Sequence, residues 1–193
     1  MKLLHLDASV LGENSVSRQL SAAIVANLVE TGQNVDVSYR DLDHNPIPHL
    51  RSTSLAQADA AEATDAEAVM QQFLAADVVV IGAPMYNFSI PSTLKAWIDR
   101  VAVAGRTFKY TENGPVGLAG GKRVIIASSR GGIYTDSPAD FQEPFLRQVF
   151  GFMGINNVEF VRAEGLAYSP KHREDAITGA LASLPSAALA VAA

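Results

Sequence analysis

The chain has 193 residues, of which 48% are hydrophobic and 18% are charged, so it can bury a core and shows no disorder signature. Its net charge of −5 argues against a nucleic-acid partner, because phosphates attract basic surfaces. It has no cysteine, which excludes disulfides, zinc–thiolate sites and cysteine nucleophiles.

Neither an export signal nor a membrane segment is predicted. His5 and Asp7 interrupt the N-terminal apolar run too early for a secretory signal peptide. No stretch approaches the roughly 18 apolar residues of a membrane span. We therefore expect a soluble, cytoplasmic protein without a membrane partner.

Strand and helix patterns alternate along the chain, which favours a parallel sheet covered by helices on both faces. Between them, residues 105–121 have the pattern of an excursion that forms a hairpin. The strand patterns cover 2–7, 34–39, 77–82, 123–127 and 157–161, and the helical patterns cover 17–30, 64–76, 91–104, 137–154 and 170–184.

Five strands with intervening helices predict one α/β domain over residues 1–193 with a flavodoxin-like fold. This is a three-layer α/β/α sandwich around a five-stranded parallel sheet of order 2-1-3-4-5. The Rossmann dinucleotide fold is the main alternative, but no G-x-G-x-x-G follows the first strand.

Three loops follow strand patterns at the sheet edge where ligands of open α/β sheets bind. Loop 1 (residues 9–17) follows the first strand, loop 2 (83–88) the third, and loop 3 (128–132) the fourth. Each loop alone has an ordinary structural explanation. Their matching positions together predict one site, sized for a flavin.

Loop 1 has the features of a phosphate site. Ser9, Ser15 and Ser17 offer hydroxyls, and the loop ends where a helix begins, whose unpaired backbone N–H groups and dipole favour an anion. The alternative is that Ser15 and Ser17 only cap this helix.

Loop 2 offers groups that suit a flat, hydrogen-bonding ring. Met85 and Phe88, which follow Pro84, provide apolar surface, Tyr86 adds a hydroxyl, and Asn87 offers a donor and an acceptor. Alternatively, the aromatic residues only pack on the following helix.

Loop 3 allows close approach of backbone to a ligand, because Gly131 and Gly132 lack side chains. Ser129 can hydrogen-bond a ring edge, and Arg130 is either a balance for negative charge on a reduced flavin or a solvated side chain. Tyr134 is placed over the same crevice or, alternatively, on the surface.

No metal site and no catalytic acid or base are predicted. The four histidines have no metal-ligand spacing with one another or with carboxylates. No G-x-S-x-G turn follows a strand, so a nucleophilic triad is not indicated either.

Three long motifs resemble those of the FMN-dependent NADH-azoreductases, which are short flavodoxin-like quinone and azo-dye reductases. They cover residues 83–88 (APMYNF), 107–115 (TFKYTENGP) and 129–132 (SRGG). The resemblance implies FMN bound by Ser9, by 15–17, by 85–88 and by 129–132.

The same resemblance implies a homodimer with two sites at the interface, each completed by the other subunit. Tyr110 and Phe152 would then line the substrate face of the flavin. The alternative is that both only pack in the interface or the core.

The resulting functional hypothesis is a two-electron relay, in which NADH or NADPH reduces the flavin and a quinone or azo compound then takes its place. The main alternative is a flavodoxin-type one-electron carrier. A regulatory module that retains only the fold is a third possibility.

Overall fold

The computed structural model describes residues 1–186, so the last seven residues of the predicted domain lie outside it. Its main sheet contains β1 (Lys2–Asp7), β2 (Asp36–Asp41), β3 (Val78–Pro84), β6 (Arg123–Ser129) and β7 (Asn157–Ala163), all parallel. The remaining two strands, β4 (Phe108–Thr111) and β5 (Gly114–Gly117), form an antiparallel hairpin within the predicted excursion.

The order of the main sheet is β2-β1-β3-β6-β7. It differs in numbering from the predicted 2-1-3-4-5 because the two hairpin strands intervene along the chain. The carboxyl ends of β1, β3 and β6 are therefore neighbours at one edge, as a ligand site at the crossover requires.

Helices cover both faces of this sheet. They are α1 (Val16–Thr31), α2 (Ser52–Leu55), α3 (Ala60–Ala75), α4 (Ser92–Val101), α5 (Gln142–Phe152) and α6 (Pro170–Ala182). Among the described residues, no helix combines the length and apolarity that crossing a membrane would take.

The central strand β3 divides the core into two parts, because successive side chains of a strand point to opposite faces. Val78 and Val80 pack in the cluster that contains residues of α1 and α6. Val79 and Ile81 pack in the cluster that contains residues of α3, α4 and α5. Every residue of β3 is buried, as its nearly continuous run of Val and Ile predicts.

Two predicted helix starts are wrong. The helix expected from residue 137 begins at Gln142, because the carboxylate of Asp140, not Ser137, accepts from the N–H groups of Gln142 and Glu143. The helix expected from residue 64 begins four residues earlier, at Ala60, where Asp59 caps it. The sequence pattern does not predict the short helix α2.

The hairpin is held against the end of α5 by a contact between two glycines. A Cβ atom on Gly117 would lie 2.1 Å from the backbone nitrogen of Gly154, closer than real Cβ contacts. The N–H of Ala119 also donates to the carbonyl of Met153 at 2.9 Å. The position of the hairpin, and of Tyr110 on it, therefore depends on the missing side chain of Gly117.

We expect Gly117→Ala to lower the free energy of unfolding in urea by about 1–3 kcal/mol, because the added methyl must push the hairpin away from α5. Gly151→Ala in α5 is the matched control, since an added Cβ there meets no atom within 4 Å. It should leave stability unchanged or raise it by up to about 1 kcal/mol. Equal losses in both variants would contradict this account of the hairpin.

Candidate active site

Loop 1 gathers hydrogen-bond donors at the start of α1. Ser9, Ser15 and Ser17 are buried, and the hydroxyls of Ser15 and Ser17 lie 3.0 Å apart. Ser15 caps the helix by accepting from the N–H of Arg18 at 3.3 Å. The N–H groups of Val16 and Ser17 precede the first intrahelical bond, and neither has an acceptor within residues 1–186. Capping and anion binding are therefore compatible in this loop.

Loop 2 makes a tight turn at the end of β3. The N–H of Tyr86 donates to the carbonyl of Ser89 at 2.9 Å, and the reverse bond measures 3.1 Å. Asn87 and Phe88 between them have φ angles of 49° and 69°, the left-handed geometry of a type I′ turn. This geometry is strained for a residue as bulky as Phe88, and such strain is concentrated at functional sites. In the described chain neither central N–H has an acceptor.

Tyr86 links loop 2 to loop 1. Its hydroxyl accepts from the N–H of Val10 at 3.2 Å and lies 3.3 Å from the hydroxyl of Ser9. The pairing of β1 with β3 brings the two strand ends together, so a tyrosine at this position reaches across.

Loop 3 lies beside loop 2 and turns its carbonyl groups toward the protein. The carbonyl of Ser129 accepts from the N–H of Met85 at 2.9 Å. The carbonyls of Gly131 and Gly132 accept from Ala167 and Gly165 respectively. The N–H groups of these two glycines have no acceptor among residues 1–186, so loop 3 also presents donors.

Tyr134 packs beside this crevice rather than standing free on the surface. Its ring lies edge-on to that of Phe88, with centroids 5.9 Å apart. A Cβ atom on Gly132 would come within 3.0 Å of the Tyr134 ring. Tyr134 therefore joins loops 2 and 3 at their outer side.

The Arg130 side chain is not solvated, so this alternative is wrong, and its charge is already paired within the protein. Its guanidinium is fully buried and pairs with Asp140 at 2.9 Å, Glu143 at 2.8 Å and Glu164 at 3.1 Å. Because the cation is enclosed by these carboxylates, it is inaccessible to a ligand in the crevice. Any contact of Arg130 with a ligand must come from its backbone.

Gln142 links loops 2 and 3 through its side chain. Its position in a helical pattern does not predict this role. Its side-chain amide donates to the carbonyls of Ala83 and Pro84, at 3.1 Å each. Its side-chain oxygen accepts from Ser128 at 2.8 Å, and Ser128 accepts in turn from Arg130 at 3.0 Å. A buried polar chain therefore connects the ends of β3 and β6.

Glu164, which directly follows β7, fixes the segment that follows loop 3. It accepts from the N–H groups of Tyr134 at 2.7 Å and Thr135 at 3.0 Å. Burial alone would raise the pKa of this carboxyl, but hydrogen bonds from Thr135 and Tyr134 and the charge of Arg130 lower it. Glu164 thus remains an ionised acceptor.

Tyr110 and Phe152 lie together in a separate aromatic cluster. Phe152 packs on Phe108 with ring centroids 4.4 Å apart, and Tyr110 lies 6.4 Å from Phe152. Tyr110 is 75% exposed. Among the ring contacts of residues 1–186, none joins this cluster to Phe88 or Tyr134, so within one chain it does not close the crevice.

Comparison with known proteins identifies the family. A family model for the flavodoxin-like fold matches residues 1–186. The FMN-dependent NADH:quinone oxidoreductase of Stenotrophomonas maltophilia (strain K279a) is 85% identical over 186 residues, which cover 96% of this chain and 95% of that protein. The chain belongs to this flavodoxin-like family.

Two solved structures related to the family have the same fold. The azoreductase from Bacillus anthracis str. Sterne has a TM-score of 0.87 and 32% identity, covering 95% of this chain and 96% of that one. An FMN-dependent NADH-azoreductase from Bacillus anthracis str. Ames Ancestor, solved in complex with FMN, has a TM-score of 0.84 and 27% identity, covering 95% and 98% of the two chains.

We expect Gln142→Leu to destabilise the flavin-free protein by about 1–3 kcal/mol, because it leaves buried polar groups of both loops without a partner. Gln148→Leu is the control, since Gln148 is an exposed residue of the same helix. Urea unfolding followed by circular dichroism measures both variants. Identical midpoints would show that the amide bridge does not hold the loops.

Proposed function

We propose that this protein is an FMN-dependent NADH:quinone oxidoreductase that also cleaves azo compounds reductively. The observation that carries the proposal is the meeting of three donor-rich loops at the neighbouring ends of β1, β3 and β6. The names of its relatives and structural neighbours support the same activity.

The donors of loop 1 fit the phosphate of FMN. Val16 and Ser17 would bind it through backbone N–H groups, and Ser9, Ser15 and Ser17 through hydroxyls. The guanidinium of Arg18, which lies next to this group of donors, is engaged by the carbonyl of Ser9 and by Asp41. Hydrogen bonds and the helix N-terminus suffice for a phosphate in such a site.

Loops 2 and 3 fit the ring system of the cofactor. The free N–H groups of Asn87, Phe88, Gly131 and Gly132 would face the carbonyl and nitrogen edge of the ring. Apolar contact would come from Met85 and from the half-exposed ring of Phe88. The complete proposed set is Ser9, Ser15, Val16, Ser17, Pro84, Met85, Tyr86, Asn87, Phe88, Ser129, Gly131 and Gly132, with the backbone of Arg130.

When bound, FMN supplies the chemistry of two-electron hydride transfer from a nicotinamide to a quinone or azo compound. The residues of this chain bind and orient the ring, and Tyr134 borders the crevice in which substrates would stack. No side chain is assigned as a catalytic acid or base. We expect reductant and acceptor to use this crevice in turn, with NADH or NADPH as the reductant.

We further propose a homodimer in which Tyr110 and Phe152 of one subunit help to line the crevice of the other. The exposed apolar side chains around the hairpin support an interface there, since a water-soluble surface rarely leaves such groups clustered. They are Tyr110, Val116 and Leu118, which are 75%, 44% and 42% exposed. Residues 1–193 would act as one FMN-binding domain, and the proposed location is cytoplasmic.

The one-electron carrier is the weaker alternative. A relative 85% identical to this chain bears the name of a reductase, not of a carrier. Half-reduction of the flavin distinguishes the two functions: a stable one-electron-reduced state would favour the carrier, and direct two-electron bleaching the reductase.

The reductase activity is tested by steady-state kinetics of the FMN-loaded protein with NADH or NADPH and a panel of quinones. Parallel double-reciprocal plots are expected, because both substrates would use one crevice in turn. Intersecting plots would contradict a shared crevice. Failure to oxidise either nicotinamide with benzoquinone and added FMN would contradict the proposed function itself.

The dimer is tested by charging its proposed interface. Val116→Lys should yield monomers in analytical ultracentrifugation and lower quinone reductase activity at least about tenfold, because a desolvated charge opposes association and Tyr110 no longer reaches the partner's crevice. Val29→Lys is the control, since Val29 lies on α1, away from the hairpin, and is 45% exposed, against 44% for Val116. A monomeric wild-type protein, or two equally dimeric variants, would count against the shared site.

A further inference from the structure

We propose that Arg18 is a positioning residue for the phosphate of FMN, acting by holding the carbonyl of Ser9 away from the phosphate. The identity of the ligand in this inference rests on the proposed function. The contacts of Arg18 from which it is argued are those of the protein without a ligand. The guanidinium donates to the carbonyl oxygen of Ser9 twice, from Nη2 at 2.8 Å and from Nε at 3.2 Å.

Arg18 is held in this position from the edge strand of the sheet. Asp41, at the end of β2, accepts from both terminal nitrogens of Arg18, at 2.7 and 2.8 Å. Asp41 is itself oriented by the N–H groups of Asp43 and His44. The hydrogen bond from Arg18 lowers the pKa of this carboxyl to about 2, so the pair stays ionised at neutral pH.

The orientation of one peptide group follows from this clamp. In a planar trans peptide the C=O and the following N–H point in opposite directions. The Ser9 carbonyl points to Arg18, and the N–H of Val10 donates to the hydroxyl of Tyr86. Both ends of the Ser9–Val10 peptide are therefore fixed. If this peptide rotated, its carbonyl oxygen would turn toward the hydroxyl of Tyr86, which lies 3.3 Å from the Ser9 hydroxyl of the proposed phosphate site, and would repel an anion there.

The positive charge of Arg18 also favours phosphate binding, as its orientation of the Ser9 carbonyl does. Asp7 is buried beside Arg18, with Oδ2 3.8 Å from the guanidinium, and accepts from Ser21 and Tyr39. His5 lies 3.5 Å from the same oxygen. Without Arg18, Asp7 and Asp41 would both lack their arginine partner next to a site for a phosphate dianion. Loss of the cation therefore also strengthens repulsion of the phosphate.

The test compares FMN with riboflavin, which has the same ring and no phosphate. Dissociation constants for the flavin-free protein are measured by quenching of flavin fluorescence. We expect Arg18→Gln to weaken FMN binding by about tenfold to a hundredfold, the range for a hydrogen bond from a charged group, and riboflavin binding by less than about twofold. Such a phosphate-specific loss is not expected from general damage to the fold.

Two further variants keep the test decisive if Arg18→Gln folds poorly. Arg18→Lys retains the charge but cannot span Ser9 and Asp41 as a guanidinium does, so its loss should be intermediate. Asp41→Asn should act in the same direction, and the double variant with Arg18→Gln should lose less than the sum of the two. Arg40→Gln is the control, because Arg40 lies on the same strand but pairs with Asp65.

The outcomes separate this proposal from the proposed function. If wild-type protein binds FMN and Arg18→Gln binds it equally well, or loses FMN and riboflavin affinity equally, the role of Arg18 is overturned while the function stands. If wild-type protein binds neither flavin, both are overturned. A phosphate-specific loss in Arg18→Gln, with Arg40→Gln unchanged, supports the proposal.

Discussion

The rest of the site depends on one set of interactions, the ion pairs around the buried guanidinium of Arg130. A cation fully removed from water is strongly unfavourable unless carboxylates surround it. Asp140 supplies one from the segment before α5, Glu143 one from α5 itself, and Glu164 one from the position directly after β7. Because withdrawal of any of the three would remove an ion-pair partner from a fully buried cation, they tie loop 3 to two neighbouring elements.

The loops share one arrangement, in which backbone carbonyls are engaged by the protein and N–H groups are left toward the crevice. Arg18 takes the carbonyl of Ser9, Gln142 takes that of Pro84, and the residues after β7 take those of Gly131 and Gly132. Free N–H donors gathered in this way attract oxygen and nitrogen acceptors. Arg18 thus acts directly on the backbone of loop 1, whereas the guanidinium of Arg130 is bonded to side chains.

That the three loops are neighbours could be predicted from sequence, because it depends only on strand patterns and on the parallel arrangement of the sheet. The contacts that hold the loops could not be predicted from sequence, because they join residues far apart along the chain. Gln142 and Ala83 are 59 positions apart, and Arg130 and Glu164 are 34 positions apart. The start of α5 was misplaced for the same reason. Ser137 is a strong local cap signal, but Asp140 is selected by its tertiary contact with Arg130.

Hydrogen–deuterium exchange of the flavin-free and FMN-loaded protein tests most directly whether the three loops form one prepared site. We predict that FMN slows exchange in peptides covering residues 9–18, 85–89 and 129–134 together, since each contains N–H groups that lack an acceptor within residues 1–186. It also predicts little change in the strands, which are already paired. Protection confined to one loop, or spread across the whole sheet as in folding on binding, would contradict it.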